Sequence, residues 1–173
     1  VVDDDSSDET YYHLKQMQLQ NPILNAIHLN KNVNFFKGKK FPLSIGIRSA
    51  KHTHLILTDA DCKPSSNRWL VRMSECFSDN KNIVLGYGKY EMHNTFLNSL
   101  IRFETMHTAI QYFSYALAGI PYMGVGRNLA YKKELFYLNN GFSKHYNIPS
   151  GDDDLFINSV ANAQNTTICL HHE

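Results

Sequence analysis

The chain alternates between short apolar runs and longer stretches in which apolar residues recur every three or four positions. Short runs of this kind are typical of β-strands, and the longer periodic stretches are typical of amphipathic helices. Strands are predicted at residues 1–3, 23–29, 55–58 and 83–87. Helices are predicted at residues 6–20, 42–52, 67–77, 94–118 and 132–138. This alternation favours an α/β fold, with a mostly parallel sheet flanked by helices.

Two of the predicted helices carry local signals. Ser6 and Glu9 have the spacing of a capping box, which predicts that the first helix begins near Ser6. The helix at residues 94–118 has a continuous apolar stripe, and such a stripe normally packs against the core. The stripe consists of Phe96, Leu100, Phe103, Met106 and Ile110.

The apolar run at residues 55–58 ends at two carboxylates, Asp59 and Asp61, which are separated by one small residue. In an open α/β sheet, ligands bind just beyond the carboxyl ends of the strands. Two carboxylates placed there provide the oxygen ligands that Mg²⁺ or Mn²⁺ prefers, and such a cation would hold a diphosphate. A simple turn after a strand is the alternative, because Asp is common in turns.

Two further acidic clusters, residues 3–5 and 152–154, also lie at the ends of predicted elements. The second cluster begins a predicted helix, where acidic side chains are favoured by the helix dipole, or where one of them can serve as a general base. If the strands are parallel, all three clusters meet at one edge of the sheet. Clustered carboxylates repel one another unless a cation offsets their charge, so this arrangement favours a divalent metal.

A glycine-containing stretch lies at residues 122–131 and leads into an apolar strand. Glycine allows the backbone to approach a ligand closely. The two glycines, Gly124 and Gly126, do not form a dinucleotide-binding fingerprint, because the third glycine and the preceding strand are missing. The stretch is therefore a candidate substrate contact of unspecified type.

Length and composition are those of one globular domain, with 173 residues of which 43% are hydrophobic. The formal net charge of +1 gives no electrostatic reason to expect nucleic acid as a partner. The three cysteines lack metal-type spacing and favour a reducing, cytoplasmic location, while no run is long enough to cross a membrane. Membrane association is expected only through segments outside this chain.

Taken in order, the motifs resemble those of family 2 glycosyltransferases, which have the GT-A (nucleotide-diphospho-sugar transferase) fold. The resemblance covers essentially the whole chain, and we interpret residues 1–173 as a single truncated catalytic domain whose opening strand precedes Val1. The matching segments are Val1-Val2-Asp3-Asp4-Asp5-Ser6, Lys37-Gly38-Lys39-Lys40, Thr58-Asp59-Ala60-Asp61, Gly124 to Tyr131, and Gly151-Asp152-Asp153.

The resemblance implies a role for each matching residue. It implies nucleotide binding by Asp3, Asp4, Lys39 and Asp59, with Asp4 on the base, which is uracil in many members. It implies metal binding by Asp61 together with Asp59, and donor or acceptor contacts by Gly126 and Asn128. Asp153 matches the catalytic base, and Asp152 stands where the family has Glu, so the base is one of these two residues.

The implied reaction is an inverting transfer of a sugar from a nucleotide-diphosphate sugar, such as a UDP-sugar, to an acceptor hydroxyl in polysaccharide biosynthesis. The expected cofactor is Mn²⁺ or Mg²⁺, and the expected acceptor is a glycan or a lipid-linked glycan. Because an opening strand is expected before Val1, we predict weak or absent turnover by this chain and self-association through exposed sheet edges. The alternatives are a metal-dependent phosphohydrolase or nucleotidyltransferase, and a sugar-nucleotide-binding fragment without catalysis.

Overall fold

A computed structural model describes residues 1–30 and 38–170, so that Lys37 of the basic segment lies outside the described residues. The strands are β1 (Val2–Asp4), β2 (Ile27–Leu29), β3 (His54–Leu57), β4 (Ile83–Leu85), β5 (Leu129–Lys132) and β6 (Thr166–Ile168). The helices are α1 (Thr10–Gln20), α2 (Lys40–Ser49), α3 (Trp69–Glu75), α4 (Phe96–Leu117), α5 (Lys133–Leu138) and α6 (Asp154–Val160). Each predicted strand and helix is confirmed with shorter or slightly shifted bounds, whereas β6 was not predicted.

The chain divides into two compact units, and the first contains residues 1–51 and 140–151. In this unit β1 and β2 pair in parallel, and α2 packs against β1. The absence of a side chain at Gly46 allows this close approach, because an added Cβ would lie 3.2 Å from Cγ2 of Val2.

The predicted capping box of α1 is wrong. The helix begins at Thr10 rather than near Ser6, and the N–H of Thr10 donates a 3.0 Å hydrogen bond to the carboxylate of Asp8 instead. Asp5 has a positive φ of 58°, a conformation that Asp tolerates, and the Ser6 hydroxyl turns back to donate to the carboxylate of Asp3. The Ser6 hydroxyl is therefore hydrogen-bonded to the buried carboxylate of Asp3 and does not cap the helix.

The second unit contains residues 52–139 and 152–173, and its described part includes a four-stranded sheet in the order β3-β5-β4-β6. Strand β5 is antiparallel to both β3 and β4, while β4 and β6 are parallel. Hence β3, β4 and β6 run in one direction, in line with the predicted mostly parallel sheet. The carboxyl ends of β3 and β4 and the start of β5 lie at the same edge.

One core cluster of this unit lies between the sheet and α3. Met73 of α3 packs with Val84 and Ala130 from the two central strands, and all three are at most 1% exposed. The aliphatic run of β4 and the matching run of β5 are buried completely or nearly so. This packing fixes the strand ends that carry the candidate site.

Core packing of the α4 stripe, as the periodicity predicted, is contradicted by the structure. Phe96 is 86% exposed, Phe103 is 59% exposed and Ile110 is 55% exposed. The helix has two apolar sides. It packs through the side that carries the buried residues Ala109 and Tyr112, and the predicted stripe lies on the other side. Within residues 1–30 and 38–170, no helix has the length and apolar content needed to cross a membrane.

Candidate active site

The acidic pair lies directly after β3, as predicted from the apolar run. Asp59, Asp61 and Cys62 each bring one ligand-type atom within 4.8 Å of the others. A turn holds them, because the N–H of Cys62 donates a 3.1 Å hydrogen bond to the carbonyl oxygen of Asp59. The carboxylate of Asp61 is exposed, and that of Asp59 is half-buried.

The chemistry of this donor set fits a hard divalent cation. Two carboxylates at this spacing provide oxygen ligands and gain from a positive charge between them. Burial raises the pKa of the Cys62 thiol, and the negative charges of Asp61 and Asp59 raise it further. A thiol is also a soft ligand, so the carboxylate oxygens are the better ligands for Mn²⁺ or Mg²⁺.

Asp153 is held in place by two backbone donors. Its Oδ2 accepts a 2.7 Å hydrogen bond from the N–H of Gly126, and its Oδ1 accepts a 2.8 Å hydrogen bond from the N–H of Asp154. Asp153 is the residue that caps α6. A carboxylate has about four lone-pair sites, so each oxygen of Asp153 can accept a further hydrogen bond.

Asp152, the other candidate base, lies close enough to Tyr131 to influence it. Burial raises the pKa of the Tyr131 hydroxyl, and the negative charge of Asp152 raises it further. Tyr131 itself is 1% exposed, on the buried strand β5. Asp152 thus acts on Tyr131, at the end of the glycine-containing stretch, whereas Asp153 accepts a hydrogen bond from Gly126 within it.

The turn Gly126–Asn128 connects the elements of the candidate site. It contacts β3, whose end carries Asp59 and Asp61, and it leads directly into β5. At its first residue it binds Asp153. The turn is therefore in contact both with the strand that precedes the predicted metal ligands and with the predicted base.

The side chain of Asn128 links two other segments at this edge. Its Oδ1 accepts a 3.0 Å hydrogen bond from Nε1 of Trp69, and its Nδ2 donates a 3.1 Å hydrogen bond to the carbonyl oxygen of Tyr87. Gly86 packs against it so closely that an added Cβ would overlap the amide of Asn128. Both ends of the amide are thus engaged within the protein, and the predicted sugar contact of Asn128 stays a prediction.

The predicted nucleotide ligands Asp3, Asp4 and Lys39 belong to the first unit. Asp3 is 3% exposed and accepts hydrogen bonds from Ser6 and, at 2.6 Å, from Nδ1 of His28. Burial alone raises the pKa of Asp3, but these hydrogen bonds outweigh it and the net pKa is lowered. Asp3 therefore supports its loop, whereas Asp4 and Lys39 are exposed.

The residue after Lys39 is buried. Lys40 is 2% exposed, and its Nζ donates to the carbonyl oxygens of Ile148, at 2.6 Å, and Ser150. This lysine therefore fastens the segment 140–151 to α2 within the first unit.

The chain is similar to known proteins in both sequence and fold. The sequence model described as "Glycosyl transferase family 2" matches residues 1–145, which is most of the chain. The chain belongs to glycosyl transferase family 2. No curated protein sequence matches it.

The fold of this glycosyltransferase chain is similar to that of a mannosyltransferase, PcManGT from Pyrobaculum calidifontis, solved in complex with GDP-Man and Mn²⁺. The TM-score is 0.64 at 18% sequence identity, and the match covers 98% of this chain and 46% of the mannosyltransferase. The chain thus spans less than half the length of that protein. The predicted GT-A fold is confirmed, and family membership supports a role in glycosyl transfer.

Several residues of this glycosyltransferase site were not predicted from the sequence. The sequence pattern indicates only a helix for Trp69. It gives no separate signal for Arg127 inside the glycine-containing stretch. Gly86 and Gly88 follow β4 as a Gly-x-Gly pair, and that pair after a strand was the available signal. The pairing of β4 with β5 is what places them beside Asn128 and Arg127.

Proposed function

We propose that this chain carries the catalytic centre of an inverting glycosyltransferase that uses a nucleoside-diphosphate sugar, with Asp153 as the general base. One observation supports this most strongly. The turn that donates a hydrogen bond to Asp153 also contacts β3, the strand that precedes Asp59 and Asp61. This contact supports a base and a cation-type donor set at the same edge of the sheet.

In the proposed reaction Asp153 accepts the proton of an acceptor hydroxyl. The hydroxyl oxygen forms a bond to the anomeric carbon, while the bond from that carbon to the diphosphate breaks and the nucleoside diphosphate leaves with the electron pair. The N–H groups of Gly126 and Asp154 hold both oxygens of Asp153, which orients the carboxylate before the acceptor arrives. Positioning of this kind, with general-base catalysis, accounts for a rate factor of about 10²–10⁴.

Asp59 and Asp61 would hold the Mn²⁺ or Mg²⁺ ion. When bound, such an ion supplies positive charge to the leaving diphosphate. The residues of the chain keep the two carboxylates close together through the turn from Asp59 to Cys62. The neutral thiol of Cys62 leaves this role to the carboxylate oxygens.

The nucleotide is proposed to be a uridine diphosphate, with Asp4 on the base, Lys39 and Asp59 as further contacts, and Asp3 as their support. Both Asp4 and Lys39 are exposed in the first unit, as a ligand contact requires. The similar mannosyltransferase was solved with GDP-Man, so GDP is the natural competitor to test. The acceptor is proposed to be a glycan or a lipid-linked glycan.

Titration calorimetry of the whole chain with UDP, GDP and ADP, each with and without Mn²⁺, tests this proposal. We expect binding that depends on Mn²⁺ and is tightest for UDP. Any slow release of UDP from a UDP-sugar by the chain should then be lost in Asp153→Asn, while UDP binding is kept. Binding that ignores Mn²⁺, or turnover that survives Asp153→Asn, would contradict the proposed roles.

A further inference from the structure

A cavity of about 240 Å³ lies against the inner face of α4 in the second unit. Its walls come from the segment after β4, from α4 and from the turn that precedes β5. Val125 and Arg127 both line it, and Gly126 between them donates its N–H to Asp153. The cavity therefore adjoins the proposed base through consecutive residues.

Polar groups of this cavity have hydrogen-bonding capacity that the fold does not use. The Arg127 guanidinium lies 5.1 Å from the ring centroid of Tyr90 and donates a single long hydrogen bond, 3.4 Å, to its hydroxyl. Its buried Nε has no acceptor among the described residues. No hydrogen bond or ion pair engages the Glu104 carboxylate or the Thr108 hydroxyl within residues 1–30 and 38–170.

This set of groups suits a neutral molecule with several hydroxyls. Glu104 accepts hydrogen bonds, Arg127 donates them, and Thr105 and Thr108 can do either. The charges of Glu104 and Arg127 cancel, so the cavity has no net charge that would favour an anion or a cation. The rings of Tyr87 and Tyr90 add apolar faces of the kind that cover the C–H side of a sugar ring.

The size of the cavity limits the ligand to one ring. Its volume of about 240 Å³ lies below the about 300–1,000 Å³ of pockets that hold drug-sized ligands. A longer glycan would have to extend out of the cavity into solvent. The match is to a single neutral monosaccharide unit.

The order of the strands indicates whether this sugar belongs to the donor or to the acceptor. Asp59 and Asp61 follow β3, the cavity residues Tyr87 and Tyr90 follow β4, and β5 lies between these two strands. The turn that binds Asp153 leads into β5, so it separates the acidic pair from the cavity. The general base takes the proton of the acceptor hydroxyl that attacks the donor. We therefore expect the base to lie between the donor site and the acceptor site.

We infer that this cavity binds the terminal neutral sugar of the acceptor, whose hydroxyl is the one that Asp153 deprotonates. The inference rests on the proposed function for the identity of the base, and it adds the class of the acceptor. It assigns Glu104, Thr108 and Arg127 to binding of the acceptor rather than of the nucleotide.

Saturation-transfer NMR on the whole chain tests the inference with methyl glycosides of glucose, galactose, mannose and N-acetylglucosamine, in the presence of UDP and Mn²⁺. We expect at least one of them to bind, and Glu104→Gln and Thr108→Val each to weaken it about tenfold, as for loss of one hydrogen bond. Glu134→Gln, an exposed acid on α5, is the matched control and should leave binding unchanged. Methyl glucuronide and glucosamine should bind more weakly than the neutral glycosides.

The outcomes separate the two proposals. If UDP with Mn²⁺ fails to bind but a glycoside binds in a manner sensitive to Glu104→Gln, the proposed function fails and the cavity remains a sugar site. If UDP binds but no glycoside does, or if both variants bind it as well as the wild type, the inference is overturned. Displacement of the glycoside by a UDP-sugar would also overturn it, because the cavity would then hold the donor. Far-UV circular dichroism of each variant establishes that the fold is retained.

Discussion

Asp153 and Gly126 are joined by a 2.7 Å hydrogen bond that spans 27 residues of sequence. The donor is a backbone N–H, so the contact depends on the path of the chain rather than on a side chain at position 126. A second N–H, from Asp154, fixes the other oxygen. The carboxylate is thus oriented by two groups that substitution of neighbouring side chains leaves in place.

Replacing Asp153 by Asn removes the negative charge of the proposed base and keeps one of the two oxygens that accept from backbone N–H groups. Asp153→Asn is expected to lower sugar transfer by about 10²–10⁴, the usual contribution of a general base, while the Kd for the nucleoside diphosphate changes less than about twofold. Asp154→Asn is the matched control, because that side chain accepts its one hydrogen bond among the described residues from the N–H of Leu155. Equal losses in the two variants would show that the effect is structural.

The carboxylates of Asp59 and Asp61, rather than the thiol of Cys62, should determine the affinity for Mn²⁺. Asp61→Asn is expected to weaken Mn²⁺ binding about tenfold or more in calorimetry, because one of two charged oxygen ligands is lost. Cys62→Ser should leave the Mn²⁺ affinity unchanged, since a neutral thiol is a poor ligand for a hard cation. If Cys62→Ser weakened Mn²⁺ as much as Asp61→Asn, the thiol would have to be counted as a ligand.

Gly86 should not tolerate even a methyl group. An added Cβ would overlap the amide of Asn128 and lie 2.9 Å from its carbonyl oxygen, so Gly86→Ala is expected to cost about 1–3 kcal/mol of unfolding free energy. At Gly126 the nearest atom would be 3.5 Å away, which is ordinary contact. Gly126→Ala is therefore the matched control.

Urea denaturation followed by the fluorescence of Trp69, the one tryptophan of the chain, measures both glycine variants. The emission should also shift in Gly86→Ala before unfolding, because Nε1 of Trp69 donates to the displaced Asn128. Equal midpoints for the two variants would show that Asn128 moves aside without cost.

Acid should weaken the first unit through Asp3. The pKa of Asp3 is lowered in the folded state, so the unfolded state binds more protons and stability rises with pH near the ordinary Asp value of about 3.9. This contribution is fully present above that value and is lost as the pH falls through the lower, folded-state pKa.

The variant Asp3→Asn should be less stable than the wild type at about pH 5.5, by about 1–3 kcal/mol. The difference should shrink as the pH is lowered below about 3. Urea midpoints from far-UV circular dichroism give the comparison, with the exposed neighbour Asp4→Asn as control. A difference that stays constant across this range would assign the stability to packing rather than to ionisation of Asp3.

Local sequence patterns predicted the elements well, because apolar spacing and strand length are local properties. The acidic pair after β3 could be predicted for the same reason: an apolar run that stops at carboxylates marks the end of a buried strand. The antiparallel insertion of β5 between β3 and β4 could not, since nothing within residues 129–132 records its partners.

Adjacent residues of the same type were the hardest to separate. Lys39 and Lys40 are equivalent as sequence, yet Lys39 is exposed, whereas Lys40 is buried and donates to carbonyl oxygens in the segment 140–151. Asp152 and Asp153 are equally ambiguous as sequence, and the hydrogen bond from the N–H of Gly126 is what supports the proposal of Asp153 as the base. In both cases the decision comes from a partner that is distant in sequence, which a local pattern cannot contain.

The uncovered apolar side of α4 has a consequence for how the chain behaves in a test tube. Side chains such as Phe96, Leu100 and Leu117 are more than half exposed, and a contiguous patch of this kind promotes association. Ammonium sulfate should promote aggregation of the chain, because salts that are excluded from the protein surface strengthen apolar contacts. A mild non-ionic detergent that coats α4 should keep the chain dispersed and raise its melting temperature, because it binds the folded form.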